Sequence, residues 1–444
     1  MTTVTKYFTK GGAEKRVNGE ALVVGFASAV LYCVISFARH YSYQSGIDLA
    51  IFGQSVKAYS LVQPPFVSLK SQAPFNILGD HFSPIIAVIA PLYRVFPHIE
   101  VLLVVQAVLF GWAVYLLGRR VRRHASRRSV VLAMVCVASC WGILAAVRFD
   151  FHEIAFTVPF VVLAVEAAEA KAWVRMGVWC ALLMLTKEDS TFLIGGIALM
   201  LLTRRQVRPA LITGGASVVA FVVLVEVVIP FFSFYHRYTY FAVTPTTYAG
   251  LCANVWQTLH QPLAWIMLAL VIITLGPGAR SPIALVIVPT LLSRLVSDNS
   301  AYWSLQHHYQ TTILVVCCMA AIDGWLKVLP SQRCTSMPRR VCIAHAVLLT
   351  VVSVGFLQAV GGLSTVLRGS DDPARAHDFA VVVSQVPANI TIIADTYALS
   401  HLVDRDTVYL ANESWTDSTG QKLAADWVLF DESSTAEGNR WTPG

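Results

Sequence analysis

Apolar runs recur along almost the whole chain, near 21–38, 99–118, 129–147, 154–170, 173–186, 190–203, 210–229, 263–276, 282–296, 310–328 and 341–363. About 20 residues of helix cross the hydrocarbon of a bilayer, so this pattern predicts an all-α integral membrane protein with about 11 transmembrane helices. With 56% of its 444 residues hydrophobic and 13% charged, the chain carries more apolar surface than one aqueous core could bury. The two runs flanking Lys187-Glu188-Asp189 are short, which leaves a re-entrant hairpin open there. The first run follows a basic segment (Lys6, Lys10, Lys15, Arg16) and ends at Phe37-Ala38-Arg39 without an obvious cleavage site, so it reads as a retained anchor.

Basic residues cluster in the connections at 119–128, at Lys171 and Arg175, at Arg204, Arg205 and Arg208, at Arg280, and at Lys327, Arg333, Arg339 and Arg340. All fall on one side if the N-terminus is cytoplasmic and if 84–97, with Arg94, lies at the outer interface as an amphipathic or half-inserted helix. The outer face of the multi-pass cell-membrane protein then receives the loops 39–98, 148–153, 187–189, 230–262 and 297–309. It also receives the segment after residue 364. The 33 Lys and Arg against 26 Asp and Glu are thus topology information, and no nucleic-acid partner is implied. Of the nine cysteines, eight lie in or beside apolar runs, with no zinc spacing and no loop framework.

Two parts follow: a polytopic domain, 1–363, and a small extracytoplasmic α/β appendage, 364–444. In the latter a helical pattern after Asp371, Asp372, Arg375, His377 and Asp378 precedes three β-branched or aromatic runs at 390–393, 407–410 and 427–430. It holds no phosphate-binding glycine loop and reads as a cap or docking element.

The outer loops carry the chemistry-bearing residues. Asp48 opens an amphipathic stretch (Leu49, Phe52, Val56, Tyr59). It reads either as a helix-start carboxylate favoured by the dipole or as a general base for an acceptor hydroxyl. Asp80-His81 fits ordinary turn chemistry, with His81 on a loop carbonyl, and a second cluster, Asp150-Phe151-His152-Glu153, emerges from the third span at the same face. Together they offer oxygen and imidazole donors, but the spacing matches no recognised metal signature; no cofactor is assigned, and a divalent metal is the alternative. Lys187-Glu188-Asp189 interrupts a long apolar stretch, where ionisable groups are costly and functional by default, the alternative being a tight polar turn. Arg94, Arg237 and Arg294 are cations at outer span ends and suggest an anion site such as a lipid phosphate. His307, His308 and Tyr309 precede a span, as a site or as an interfacial anchor.

The succession Gly46-Ile47-Asp48-Leu49-Ala50-Ile51-Phe52-Gly53-Gln54, Gly79-Asp80-His81-Phe82-Ser83-Pro84, Asp150-Phe151-His152-Glu153, Lys187-Glu188-Asp189 and His308-Tyr309 resembles a family of uncharacterised polytopic membrane proteins of bacteria and archaea. The likeness covers most of the chain and departs at Gly53, where that pattern usually has a second Asp. The layout is also similar to the GT-C class of glycosyltransferases, which take a sugar from a polyprenyl-phosphate carrier. That resemblance places an acidic residue at Asp48, and associates Arg94, in a short helix before the second span, and Lys187, in Leu185-Thr186-Lys187, with the lipid phosphate.

What the resemblance implies is sugar transfer from a polyprenyl-phosphate donor to an extracytoplasmic acceptor, a glycan or lipid of the cell envelope. Asp48 is then the catalytic base; Arg94 and Lys187 hold the leaving phosphate. Asp80, His81, Asp150, His152, Glu153, Glu188, Asp189, His307 and His308 complete the substrate site. The partners are the lipid donor and membrane lipids, and the sugar, acceptor and oligomeric state have no signature in the sequence. The competing classes are a lipid or solute transporter or flippase, whose charges would line a path, and a non-catalytic assembly subunit.

Overall fold

The computed structural model describes residues 19–70, 75–123, 126–240, 248–297, 299–305, 307–328, 337–359, 361–370, 372–411 and 424–431. The sequence-level readings of Lys6, Lys10, Lys15, Arg16, Arg333 and Asp371, and residues 241–247 of the loop 230–262, lie outside them. The chain is mostly helical. In order, α1 is Gly19–Tyr41, α2 Ile47–Ser60, α3 Ala90–Val95, α4 Glu100–Arg122, α5 Arg127–Ala138, α6 Trp141–Val147, α7 Ile154–Glu169, α8 Trp173–Met184 and α9 Ser190–Thr203. Then come α10 Val207–Val223, continued through a π turn into α11 Ile229–Phe232, α12 Tyr248–Leu259, α13 Pro262–Leu275, α14 Val288–Val296, α15 Thr311–Val328 and α16 Met337–Ala359.

Among the described residues six helices are long and apolar enough to cross a bilayer: Gly19–Tyr41, Glu100–Arg122, Val207–Phe232, Pro262–Arg280, His308–Lys327 and Arg340–Ala359. The pair α5–α6, bent by 51°, makes up to seven. Six or seven single long spans are thus shown, not the expected eleven, and the remaining apolar runs are shorter. Runs 154–170, 173–186, 190–203 and 282–296 form shorter helices because the chain turns at Ala170-Lys171-Ala172, at Thr186–Asp189 and around Pro282. A hydropathy window registers composition and not the length of helix between turns. The stretch 84–97 is likewise no full span: a 3₁₀ turn over Pro84–Ile89 runs into the single short helix α3.

Close backbone approach joins α1 to α4. A Cβ on Gly111 would meet the Gly25 carbonyl at 2.6 Å, so the small residue is what lets these helices touch. Tyr32 and Ser36 of α1 donate across to the carbonyls of Ala138 and Val147, at 2.7 and 2.9 Å. At one end of the bundle the helix termini are laced by ion pairs: Arg119–Glu166 at 2.5 Å, Arg120 with Glu169, Arg204–Glu169 at 2.8 Å and Lys327–Asp323 at 2.6 Å. The opposite end, where α1 stops and α4, α7, α9 and α15 begin, carries α2 and the polar loops.

After α17 (Gly362–Arg368) and α18 (Pro373–Gln385), β3 (Thr391–Ala394), α19 (Thr396–Leu402), β4 (Thr407–Leu410) and β5 (Trp427–Leu429) form a parallel sheet of order β4-β3-β5. Among the described residues, β1 (Phe66–Val67) and β2 (Phe75–Asn76) pair antiparallel as a second, two-stranded sheet. The three-stranded unit seats on α2 and α3. Lys57 donates to the Val403 carbonyl at 3.0 Å, Ser68 to Val408 O at 2.6 Å, and Asp404 accepts from Tyr93 Oη and Ile99 N at 2.6 and 2.8 Å. His401 stacks between His40 and Tyr43, with ring centroids 4.1 and 4.0 Å away. Residues of this unit, such as Ile392 and Leu399, belong to the same apolar core as the long helices.

Candidate active site

The polar loops enclose a cavity of about 250 Å³. Its position follows from α2, whose first turn is held by a residue distant in sequence. Asp150 accepts from the backbone amides of Gly46 and Leu49 at 2.9 and 3.2 Å, satisfying donors that a helix start leaves open. A Cβ at Gly46 would lie 2.9 Å from Asp150 Oδ2, so glycine permits the approach. Asp150 is thus spent on positioning and does not line the cavity. Burial pushes its carboxyl up, against the pull of Arg39. The same helix presents Asp48, Ile51 and Phe52 to the cavity, whereas Gly53 is pressed against Ile99 and Val403.

Four carboxylates lie in or against this space, each with its own basic partner. Asp48 Oδ2 is 3.4 Å from His152 Nε2 and Glu153 Oε1 is 3.3 Å from Lys187 Nζ. Asp80 Oδ2 is 2.6 Å from Lys70 Nζ, and Glu188 Oε1 is 2.6 Å from His81 Nδ1. Unpaired charges would be prohibitive here, since Glu153 and Glu188 are 2% and 1% exposed. Asp48 differs: 34% of its side chain is open to the cavity.

The tautomer of His152 follows from its second contact. Nδ1 lies 3.1 Å from the carbonyl of Asp150, which can only accept, so Nδ1 carries a hydrogen. Nε2 then also needs a proton to bind the Asp48 carboxylate. Burial disfavours the charge on both groups, but each outweighs it for the other: His152 is raised from its ordinary value, and Asp48, helped further by Lys70 and Lys187, is lowered. Lys187 is raised well above the ordinary range because Glu153, Asp189 and Glu188 outweigh its burial.

Aromatic faces complete the lining. His308 stacks on His152 at 3.6 Å and Phe149 on His152 at 5.3 Å; Tyr309 and His307 adjoin them, and across the cavity Tyr240 stacks on His81 at 4.3 Å. Tyr240 also donates to Asp80 at 3.0 Å. Alternating charges that cancel in pairs, beside flat rings, suit a ligand rich in hydroxyl groups.

Of the residues singled out from the sequence, Asp48, Asp80, His81, His152, Glu153, Lys187, His307 and His308 line the cavity. Asp150 and Glu188 stand behind it, and Asp189 is half-buried at the start of α9. Arg94 is not brought there: it is exposed on α3 and donates to the Ser60 carbonyl at 3.2 Å. Its expected sharing of an anion site with Lys187 is therefore not met. Arg294 is buried in holding the Tyr309 loop, through Gln310 at 2.7 Å and the Tyr309 carbonyl, and Arg237 is exposed. Lys70 and Tyr240 were not anticipated. The one available signal for Lys70 was a cation in a loop that the distribution of basic residues assigns to the outer side, where none is expected.

Among the described residues, three metal-capable ligand atoms gather not here but at His98, Glu100 and Asp404. There the start of α4 and Tyr93 already account for Asp404.

No curated protein matches this chain. A family model described as a predicted membrane protein (DUF2079) matches residues 39–443, a span that takes in every residue lining the cavity. The chain belongs to that DUF2079 family of membrane proteins.

Proposed function

We propose that this protein is a membrane glycosyltransferase that moves a sugar from a polyprenyl-phosphate donor to an acceptor hydroxyl at the extracytoplasmic face. The observation that carries the reading is Asp48: an ionised carboxylate, held so by His152, with a third of its side chain open to a cavity that also presents lysines and aromatic faces. In this reading Asp48 takes the acceptor proton as the sugar's anomeric carbon exchanges a phosphate oxygen for the acceptor oxygen. Lys187 and Lys70 face the leaving phosphate, in place of Arg94. The N-terminus and the ion-paired end are cytoplasmic by the distribution of basic residues, and the cavity and C-terminal unit are outside. The short helices α7, α8, α9 and α14 complete about eleven crossings by pairing with neighbours instead of spanning alone.

The test is reconstitution in liposomes with radiolabelled polyprenyl phosphoglucose, phosphomannose and phosphogalactose and an envelope extract as acceptor. Label passing to the acceptor with wild type and not with Asp48→Asn is the expected result. Label crossing the bilayer unchanged would instead identify a flippase, and no movement of label would leave only a non-catalytic role.

A further inference from the structure

The two histidine–carboxylate pairs of the cavity are mounted in opposite order. At one, the carboxylate faces the cavity and the imidazole stands behind, Asp48 being 34% and His152 7% exposed. At the other, the imidazole faces it, His81 being 22% and Glu188 1% exposed. Glu188 is fixed as an acceptor: besides His81 Nδ1 at 2.6 Å it receives Phe82 N at 3.1 Å and Tyr238 Oη at 2.9 Å. Nδ1 of His81 therefore carries its hydrogen, and Nε2 is the nitrogen left to work. Tyr240 stacks on the ring, 20° from parallel, and is itself tied to Asp80. The plain alternative is an anchor for the loop 79–83, but Phe82 N already ties that loop to Glu188. A ring clamped on its face and at one nitrogen is oriented beyond what anchoring needs.

Building on the glycosyl-transfer reading, we infer that His81, oriented by Glu188, is the general acid that protonates the leaving lipid phosphate. The bond between the anomeric carbon and the phosphate oxygen breaks, its electron pair staying on that oxygen, as the bond to the acceptor oxygen forms. The acceptor proton goes to Asp48, and the Nε2 proton of His81 goes to the departing phosphate. Water then restores the proton to His81 and removes the one on Asp48. A carboxylate-first pair suits the base and an imidazole-first pair the acid.

The experiment compares wild type, His81→Gln and Glu188→Gln in liposomes with two forms of each labelled donor. One is the ordinary polyprenyl phosphosugar; the other carries two fluorines on the lipid carbon next to the phosphate, which makes the leaving phosphate less basic. Expected with the ordinary donor is a loss of about 10²-fold in kcat for His81→Gln, within the span usual for general-acid removal, and disappearance of the alkaline limb of the pH profile. The deficit should shrink with the fluorinated donor, which a merely structural role would not produce. Glu188→Gln should lower kcat with the ordinary donor and lose much of that deficit with the fluorinated one, because the carboxylate that orients the ring through Nδ1 is then gone. Equal deficits with both donors, or an alkaline limb that persists in His81→Gln, overturn the acid role and leave glycosyl transfer standing. Absence of transfer by wild type with every donor overturns both.

Discussion

Exchanging Asp48 for asparagine keeps the shape of the side chain and removes its proton affinity, so donor binding should persist while kcat falls by about 10²–10⁴-fold. Asp48 lies in the first turn of α2, behind the N-cap Gly46, where a carboxylate adds only about 0.3–1 kcal/mol through the dipole, so one that only favours α2 would tolerate the change. Transfer retained in Asp48→Asn would remove this residue from the chemistry. Its neighbour sets the pH range. Burial alone pushes the Asp48 carboxyl up; the hydrogen bond and charge of His152 bring it below the ordinary value. A rate that needs the ionised carboxylate should therefore hold through the weakly acidic range, and His152→Gln should move the acid limb of kcat to higher pH. An acid limb unchanged by that substitution would show that His152 does not govern Asp48. Asp48, Asp80, His81, His152 and Lys187, which line the cavity, were legible as polar residues in the connections between apolar runs. Asp150 looked like one of them, yet it serves the amides of α2. The difference lies in a contact with Gly46 across 104 positions of sequence, which no local pattern encodes.

At the scale of elements, the turn between α8 and α9 is held to the start of α7 by Lys187 and Glu153, both nearly buried. Lys187→Met should cost about 3–5 kcal/mol, because a buried carboxylate is left uncompensated. The double variant with Glu153→Gln should recover much of that stability, as a thermal-unfolding cycle in detergent would measure; a double variant no better than Lys187→Met would show that the two do not act as a pair. The docking of the α19 unit has its own pH dependence. His401 is packed on His40 and Tyr43, and burial, reinforced by His40, depresses it to about 3. Between that value and the 6.5 of a free histidine the undocked form binds more protons, so docking is at full strength above pH 6.5 and weakens as pH falls toward 3. Hydrogen exchange over 391–410, corrected for its intrinsic rate, should be faster at pH 4.5 than at pH 7.5. Equal protection at both would exclude His401 as the cause. From the sequence, the strands at 391–394, 407–410 and 427–429 were readable from β-branched runs. Their parallel order, and the seat on α2, depend on partners such as Asp404 with Ile99 that lie far apart in the chain.

For the whole molecule, the ion-paired end and the cavity end face opposite sides of the bilayer in our reading. In intact cells an impermeant thiol reagent should label a cysteine introduced for Ser384 and spare one introduced for Ser126. The reverse pattern would invert the protein and place the cavity in the cytoplasm. Long apolar runs gave away α1, α4, α10, α13, α15 and α16, since length and composition together mark a span. Lys70 and Tyr240 stayed hidden because a single cation and a single tyrosine in long loops carry no periodicity. The pairing of each carboxylate with its own cation has a consequence for how the protein is made. Glu153 and Lys187 are 34 positions apart. At about 5–20 residues per second a ribosome needs roughly 2–7 s to deliver the second after the first. Through that interval the nascent chain must shelter unmatched charge beside lipid. Arrested chains ending after Glu153 but short of Lys187 should be more readily extracted from the membrane or degraded than chains only slightly longer; equal survival of the two would mean that the insertion machinery, not the partner side chain, protects those charges.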